Sequence, residues 1–215
     1  MTSKIKVIIP AYRYIEPPTY EALLAEENLY RKTKSYCKVD HALRIGDSSI
    51  DMARSDLARI FIEKNKGSDY LMFIDSDIYW DYSKRYIEKL AKQKKDIICG
   101  IYSIKSPKSR PALRTMNVQK WIEDGRQGEV PKSEVPENKV FKIYYATAGF
   151  TMYSRKCLEE VYAKYAYPFQ PFVNSFNEYL TEDFAFSDRA RQLGFEIWAD
   201  SSIKLGHIGI AIYWL

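Results

Sequence analysis

By type and spacing, the residues best able to do chemistry are the two carboxylates of Asp75-Ser76-Asp77, which close the apolar run Tyr70-Leu71-Met72-Phe73-Ile74. A continuously apolar run of that length suits a strand buried on both faces of a mostly parallel sheet. Alternate residues of an extended chain point the same way, so Asp75 and Asp77 present two carboxylates to one spot past the C-terminal end of that strand. In open α/β sheets this edge is where ligands bind. Two unneutralised carboxylates repel each other, and a divalent cation relieves the repulsion. Hard oxygen donors favour magnesium or manganese, which complete their shells with water and substrate phosphates. The competing reading is a solvated turn that leads into the helix near Ser83. A second acidic pair, Glu182-Asp183, follows Thr181 at a helix start, where acidic side chains also stabilise a helix N-terminus.

The elements that must position these groups read as an alternation. Lys4 to Ile9 is a β-branched strand that Pro10 stops, and Tyr20 to Arg31 carries Tyr20, Leu23, Leu24 and Tyr30 at helical spacing. Cys37 to Ile45 is a short strand, and Ser48-Ser49-Ile50-Asp51 opens a helix with Ile50, Ala53, Leu57, Ile60 and Phe61 on one side, closed by Lys66-Gly67. After the run from Tyr70 to Ile74, Ser83 caps a helix bearing Ile87, Leu90 and Ala91, and Asp96 to Tyr102 is the next strand. Residues 103–139, with Pro107, Pro111, Pro131, Pro136 and an isolated Trp121, form a long excursion of the kind that is usually functional or disordered. Regular pattern returns with Val140 to Ala146, Phe150 to Tyr153, a helix from Ser154 to about Lys164, a helix from Thr181 that Gly194 terminates, and a last strand from Phe195 to Ala199. The chain is therefore expected to be one α/β domain. It divides into 1–102, 103–139 and 140–215 without a separating linker.

Composition excludes several classes. With 215 residues and 46% hydrophobic side chains the chain buries a sizeable core. No apolar run nears the roughly 20 residues of a membrane span, and the segment before Pro10 is too short for a signal peptide, so a soluble, cytoplasmic protein is expected. Cys37, Cys99 and Cys157 have no paired spacing and are expected to be reduced and structural. The 33 basic and 28 acidic residues leave a formal charge of +5, a mild excess rather than the dense clustering of a dedicated nucleic-acid binder. No Gly-rich phosphate loop of Walker or Rossmann type is present, which removes ATPase and dehydrogenase readings.

The collinear order of Pro10, Ala53-Arg54, Asp75-Ser76-Asp77, Thr147-Ala148-Gly149-Phe150, Glu182-Asp183-Phe184-Ala185-Phe186 with Arg189 and Gly194, and finally His207 resembles the glycosyltransferases of the GT-A fold. It looks most like their small, stand-alone, family 2-like viral and bacterial members. The resemblance spans nearly the whole chain and is weakest over residues 103–139. It implies a Rossmann-like, mostly parallel sheet flanked by helices, with 1–102 binding nucleotide and 140–215 supplying acceptor and catalytic groups. It implies that Asp77 is the direct ligand of a manganese (or magnesium) ion on the diphosphate of a UDP- or GDP-sugar. Asp75 then faces the ribose or reaches the metal through water, Ser76 joins the nucleotide contacts, and His207 is a third metal ligand. Asp183 becomes the general base of an inverting transfer, with Glu182 sharing that role or positioning the acceptor. Pro10-Ala11-Tyr12 passes beside the base, on which Tyr12 stacks. Arg54 pairs with phosphate, although Ser55 stands where the family usually has Asn. Ala148, Gly149 and Phe150 line the sugar and acceptor pocket, while Phe184, Phe186 and Arg189 orient the last helix.

The acceptor is left open among a glycan, a lipid-linked sugar, a protein and modified DNA, shaped by the excursion and the aromatic run Tyr165 to Phe176. A viral origin would place the enzyme in the host cytoplasm. Two further readings stand beside this one. One is a non-catalytic module gripping a nucleotide, a glycan or nucleic acid through the basic residues of 103–114. The other is a nucleotidyltransferase acting on a sugar phosphate and releasing pyrophosphate.

Overall fold

The computed structural model of the chain describes residues 2–105, 110–114, 123, 135–209 and 212–214, the last three as backbone alone. Most of the excursion, including Trp121, lies outside the described residues. Strands β1 (Ser3–Ala11), β2 (Cys37–Ile45) and β3 (Tyr70–Ile74) alternate with helices α1 (Pro17–Lys32) and α2 (Ile50–Lys64). A short β4 (Ile78–Trp80) precedes α3 (Tyr86–Lys92) and β5 (Ile97–Ile101). After β6 (Leu113–Arg114) come β7 (Val140–Ile143), β8 (Tyr145–Ala146) and β9 (Phe150–Ser154). Helix α4 (Arg155–Lys164), the hairpin β10 (Phe172–Val173) and β11 (Tyr179–Leu180), and helix α5 (Glu182–Gln192) lead to β12 (Ile197–Ile208) and β13 (Ile212–Trp214).

The central sheet runs in the order β13-β12-β5-β9-β3-β1-β2, with β4 and β7 also paired to β12. Strands β2, β1, β3, β5 and the first part of β12 share one direction, and β9 runs against them between β3 and β5. The expected mostly parallel α/β sheet is thus present, with one inverted strand at its centre. Strand alternation divides the core. Leu71 and Phe73 pack with Leu57 and Phe61 of α2, Leu158 of α4 and Phe186 of α5 on one face. Met72 and Ile74 pack with Leu23 of α1 and Leu90 of α3 on the other. Each such fully buried side chain contributes roughly 1.5–3 kcal/mol of apolar transfer. All three cysteines are buried and unpaired.

Four expectations need correction. Strand β1 continues through Pro10 to Ala11, because its pairing with β3 ends at Ile8 and beyond it only β2 flanks the strand, so the missing N–H breaks no central ladder. Ser83 lies in a separate 3₁₀ turn, Tyr82–Lys84, capped by Asp81, whose carboxylate accepts from the Ser83 N–H at 3.0 Å; Arg85, left-handed at φ +54°, then precedes α3, which has no side-chain cap. Val140 to Ala146 is two strands with different partners, β7 on β12 and β8 on β6. The last strand is far longer than Phe195 to Ala199. A register shift between Asp200 and Lys204 lets β12 leave the ladder of β7 and continue between β4 and β13. Gly194, at φ +88°, ends α5 as expected.

One polar group is sealed into this core. The Glu26 carboxylate accepts from Trp80 Nε1 at 2.5 Å, from the Ile87 N–H at 2.9 Å and from the Tyr30 hydroxyl, tying α1 to β4 and α3. Burial outweighs these hydrogen bonds and pushes its pKa from 4.5 to about 7. The folded state therefore binds this proton more tightly than the unfolded chain. Its stabilising contribution is complete below about 4.5 and is lost as pH rises through about 7. Glu26→Gln is expected to lower stability at pH 5, because the amide nitrogen faces a donor, yet to flatten the decline in Tm between pH 5 and 8. Thermal melts across that range check both effects.

Candidate active site

Three segments meet where β3 ends. The Asp75 N–H donates to the Gly149 carbonyl at 2.9 Å, which fixes the turn after Ile74 against the start of β9. A Cβ on Gly149 would lie 2.5 Å from Tyr102 Oη and 2.6 Å from Asp75 Oδ2, so any side chain here would have to displace the Tyr102 ring or the Asp75 carboxylate. Beneath the turn sits Arg54 of α2, its side chain only 3% exposed. Nη2 donates to Asp75 Oδ1 at 2.5 Å, Nη1 to Glu182 Oε1, and the guanidinium lies 6.0 Å from the Phe73 ring centroid. One buried cation thereby ties the β3 edge to the tip of α5.

Asp183 is beside it, accepting through Oδ1 from Thr181 Oγ1 at 2.7 Å and from the Phe184 N–H at 2.8 Å. Thr181 occupies the N-cap position but spends its hydroxyl as a donor to Asp183 rather than as a backbone cap. Burial, the largest effect, raises the Asp183 pKa above the ordinary carboxylate value, against the hydrogen bonds and Arg54. Glu182 is raised too, first by burial and then by the charge of Asp183. The helix is held by Phe184 stacked on Tyr145, by Phe186 stacked on Phe169, and by Arg189, whose Nη1 donates to the carbonyls of Pro168 and Gln170 at 2.7 Å.

Asp77 faces a different set of groups. Its Oδ2 lies 2.5 Å from Lys105 Nζ and 3.5 Å from His207 Nε2. His207 is inside β12, opposite Ile78 of β4, rather than beyond the last strand. Its Nδ1 donates to the Ser103 carbonyl at 2.9 Å and its ring packs edge-on against Tyr102, which turns Nε2 toward Asp77. The Asp77 pKa is lowered: burial opposes the charged form, but His207 and Lys105 together outweigh it. Among the described residues no three His, Cys, Asp or Glu side chains form a ready metal cage. The structure brings together Asp77 with His207, and Asp75 with Arg54, Glu182 and Asp183, and it commits Asp75 to the arginine.

The remaining predicted residues divide. Tyr12, just after β1, is 59% exposed with the Arg13 guanidinium 5.4 Å from its ring centroid, and Pro10 and Ala11 are buried behind it. The Ser76 carbonyl accepts from the Glu16 N–H at 2.8 Å. Ala148 and Phe150 have core side chains, Phe150 packing against Trp80, so of that segment Gly149 alone reaches the site. Arg54 was expected at a phosphate, and both its arms are instead on carboxylates. The site contacts of Tyr102, Ser103 and Lys105 are not visible in the sequence, because they join residues 28 to 105 positions apart.

No protein-family model matches the chain, and no curated protein sequence does. Among solved structures, A197 from STIV matches 96% of this chain and 86% of its own at a TM-score of 0.61 and 19% identity, which shows a shared fold. A glycosyltransferase involved in the glycosylation of the major capsid of PBCV-1 is fainter, at 11% identity, a TM-score of 0.39, and 74% and 65% of the two chains. So is S. aureus TarS 1–349, at 14% identity, a TM-score of 0.42, and 98% and 59%. Structural neighbours of this chain thus include a glycosyltransferase, at a likeness too slight to carry an argument.

Removing Arg54 leaves Asp75, Glu182 and Asp183 without their shared counter-charge. Arg54→Met is expected to cost about 3–5 kcal/mol in urea denaturation at pH 7. The loss should shrink toward pH 4, as protons replace the missing guanidinium.

Proposed function

We propose that the protein is an inverting glycosyltransferase that moves a sugar from a nucleotide diphosphate sugar to an acceptor hydroxyl with the help of a divalent cation. The observation that carries this reading is the gathering of two separate carboxylate groups at one sheet edge. Asp77 with His207 forms one, and Asp183 with Glu182 at the α5 tip forms the other, with Asp75 and Arg54 between them. A carboxylate that keeps its proton poorly and one that keeps it well are suited to different tasks.

The donor set fits manganese or magnesium. A low-pKa carboxylate and an imidazole whose other nitrogen is fixed by a backbone carbonyl supply one oxygen and one nitrogen, with water and phosphate oxygens left to complete the shell. Bound there, the ion would offset charge on the departing diphosphate. The chain's own residues do the rest. Lys105, already on Asp77, is a partly exposed cation that can turn to a phosphate oxygen. Exposed Tyr12 offers a ring to the base. Asp183, with its raised pKa, takes the acceptor proton as the new glycosidic bond forms and the bond from sugar to diphosphate breaks, and Arg54 opposes the rise in the Asp183 pKa while its arms stay on Asp75 and Glu182.

The test is a panel of UDP- and GDP-sugars assayed for nucleoside diphosphate release with and without Mn2+. Release that depends on Mn2+ supports the reading, whereas pyrophosphate release or complete inactivity overturns it. Asp183→Asn is expected to lower kcat by about 10²–10⁴-fold, the range of general-base contributions. The wild-type rate should rise with pH through a value above the ordinary aspartate range, since only the ionised form accepts a proton. Mn2+ titration followed by electron paramagnetic resonance should show binding lost in Asp77→Ala and strengthened several-fold in Lys105→Met, where the competing ammonium is gone.

A further inference from the structure

The mild net charge of the chain is not evenly spread. At the opposite edge of the sheet, where β1 and β3 begin, a cleft of about 940 Å³ is lined by Lys4, Lys66, Lys94, Arg155 and Lys156, with Asp69 as its one carboxylate. The five-residue β3 separates this cleft from Asp75 by about 17 Å at ~3.3 Å per residue, so it is no part of the candidate active site. The four lysines are exposed, and among the described residues none has a carboxylate within salt-bridge distance. The charge is also placed on a fixed frame. Arg155 donates to the carbonyls of Ser68 at 2.9 Å, Asn65 at 2.5 Å and Ile62 at 3.3 Å, which locks the loop carrying Lys66 against α4. Lys94 closes α3 at φ +51°, a left-handed position that glycine or asparagine would occupy with less strain. Tyr36 and Tyr70 are partly exposed along the same wall.

We propose that this cleft binds a single nucleic-acid strand, its lysines taking successive phosphates and Tyr36 and Tyr70 taking bases. Unpaired ammonium groups in a groove together with rings are the elements by which proteins hold single strands without reading sequence. A recess admits a flexible chain of phosphates, whereas a flat bilayer or a rigid duplex would touch only its rim. Binding here is independent of sugar transfer, and it would hold the enzyme on a nucleic acid while the other edge stays open to substrates.

Fluorescence anisotropy with a labelled dT20 oligonucleotide tests this. Four phosphate contacts on a single strand predict a log–log salt slope near −3, so affinity should fall about 50-fold between 50 and 200 mM salt. The variant Lys4→Gln, Lys66→Gln, Lys94→Gln, Lys156→Gln should lose at least tenfold in affinity at 50 mM and most of the salt slope, with an unchanged Tm. A control with the same charge change elsewhere, at Lys84, Lys139, Lys164 and Lys204, should lose less than threefold. Equal losses in the two variants, or an intact slope in the cleft variant, overturn the proposal. So does tighter, cleft-dependent binding to phosphatidylserine vesicles or to duplex than to the single strand.

Discussion

Arg54 is the interaction on which the rest of the site depends. A guanidinium cannot shed its charge in a protein, so burying it obliges the fold to deliver anions to it. They come from distant parts of the chain: Asp75 lies 21 residues away in sequence and Glu182 lies 128 away. That demand fixes the depth at which α2 packs under the sheet and the angle at which the tip of α5 arrives. It also explains why acidic residues are tolerated so close together. Burial and the charges of Asp183 and Asp75 raise the proton affinity of Glu182, burial and the charge of Asp75 raise that of Asp183, and the arginine opposes both shifts. The site is thus a balance between one buried cation and several part-buried anions.

The inverted strand β9 is the second constraint. Placing it antiparallel between β3 and β5 brings its leading end, Gly149 and Phe150, to the edge where β3 finishes. The Gly149 carbonyl then receives the Asp75 N–H, and Tyr102, leaving β5, closes over the same point. A parallel strand in that place would bring its trailing end there instead. β12 has a matching role on the other side, since its irregularity after Asp200 lets one strand support the core with Ile197 and Ala199 and then carry His207 toward Asp77.

The alternation of strands and helices was legible because it rests on local pattern: continuous apolar runs for β3 and β5, and helical spacing in α1 and α2. The carboxylates of Asp75 and Asp77 were legible for the same reason, as was the terminating Gly194. Other features were hidden because they depend on what a segment meets. Pro10 reads as a stop in isolation and is harmless in a strand flanked on one side. The length of β12 depends on β4 and β13 being there to pair with its second half. Phe150 sits in a segment that resembles a pocket wall, yet its ring is needed against Trp80. Arg54 shows the limit most clearly: sequence identifies an arginine near a ligand edge, but only packing decides whether it faces phosphate or carboxylate.

Alternation along β3 predicts that Asp75 and Asp77 act as a pair, and the structure separates them. Arg54 holds Asp75 on the side of α5, while Asp77 turns to Lys105 and His207. A β-strand rule applies only while the chain remains extended, and β3 ends at Ile74, with Ser76 and Asp77 already in a turn, so the two carboxylates do not share a face. The consequence is chemical. A paired Asp-x-Asp would present two negative charges to one cation. Here one carboxylate is neutralised within the fold and belongs to the frame, so a divalent ion at Asp77 would meet a single anion and an imidazole, and would have to draw the remainder of its shell from phosphate and water. Cation and diphosphate should then bind together far more tightly than either does alone.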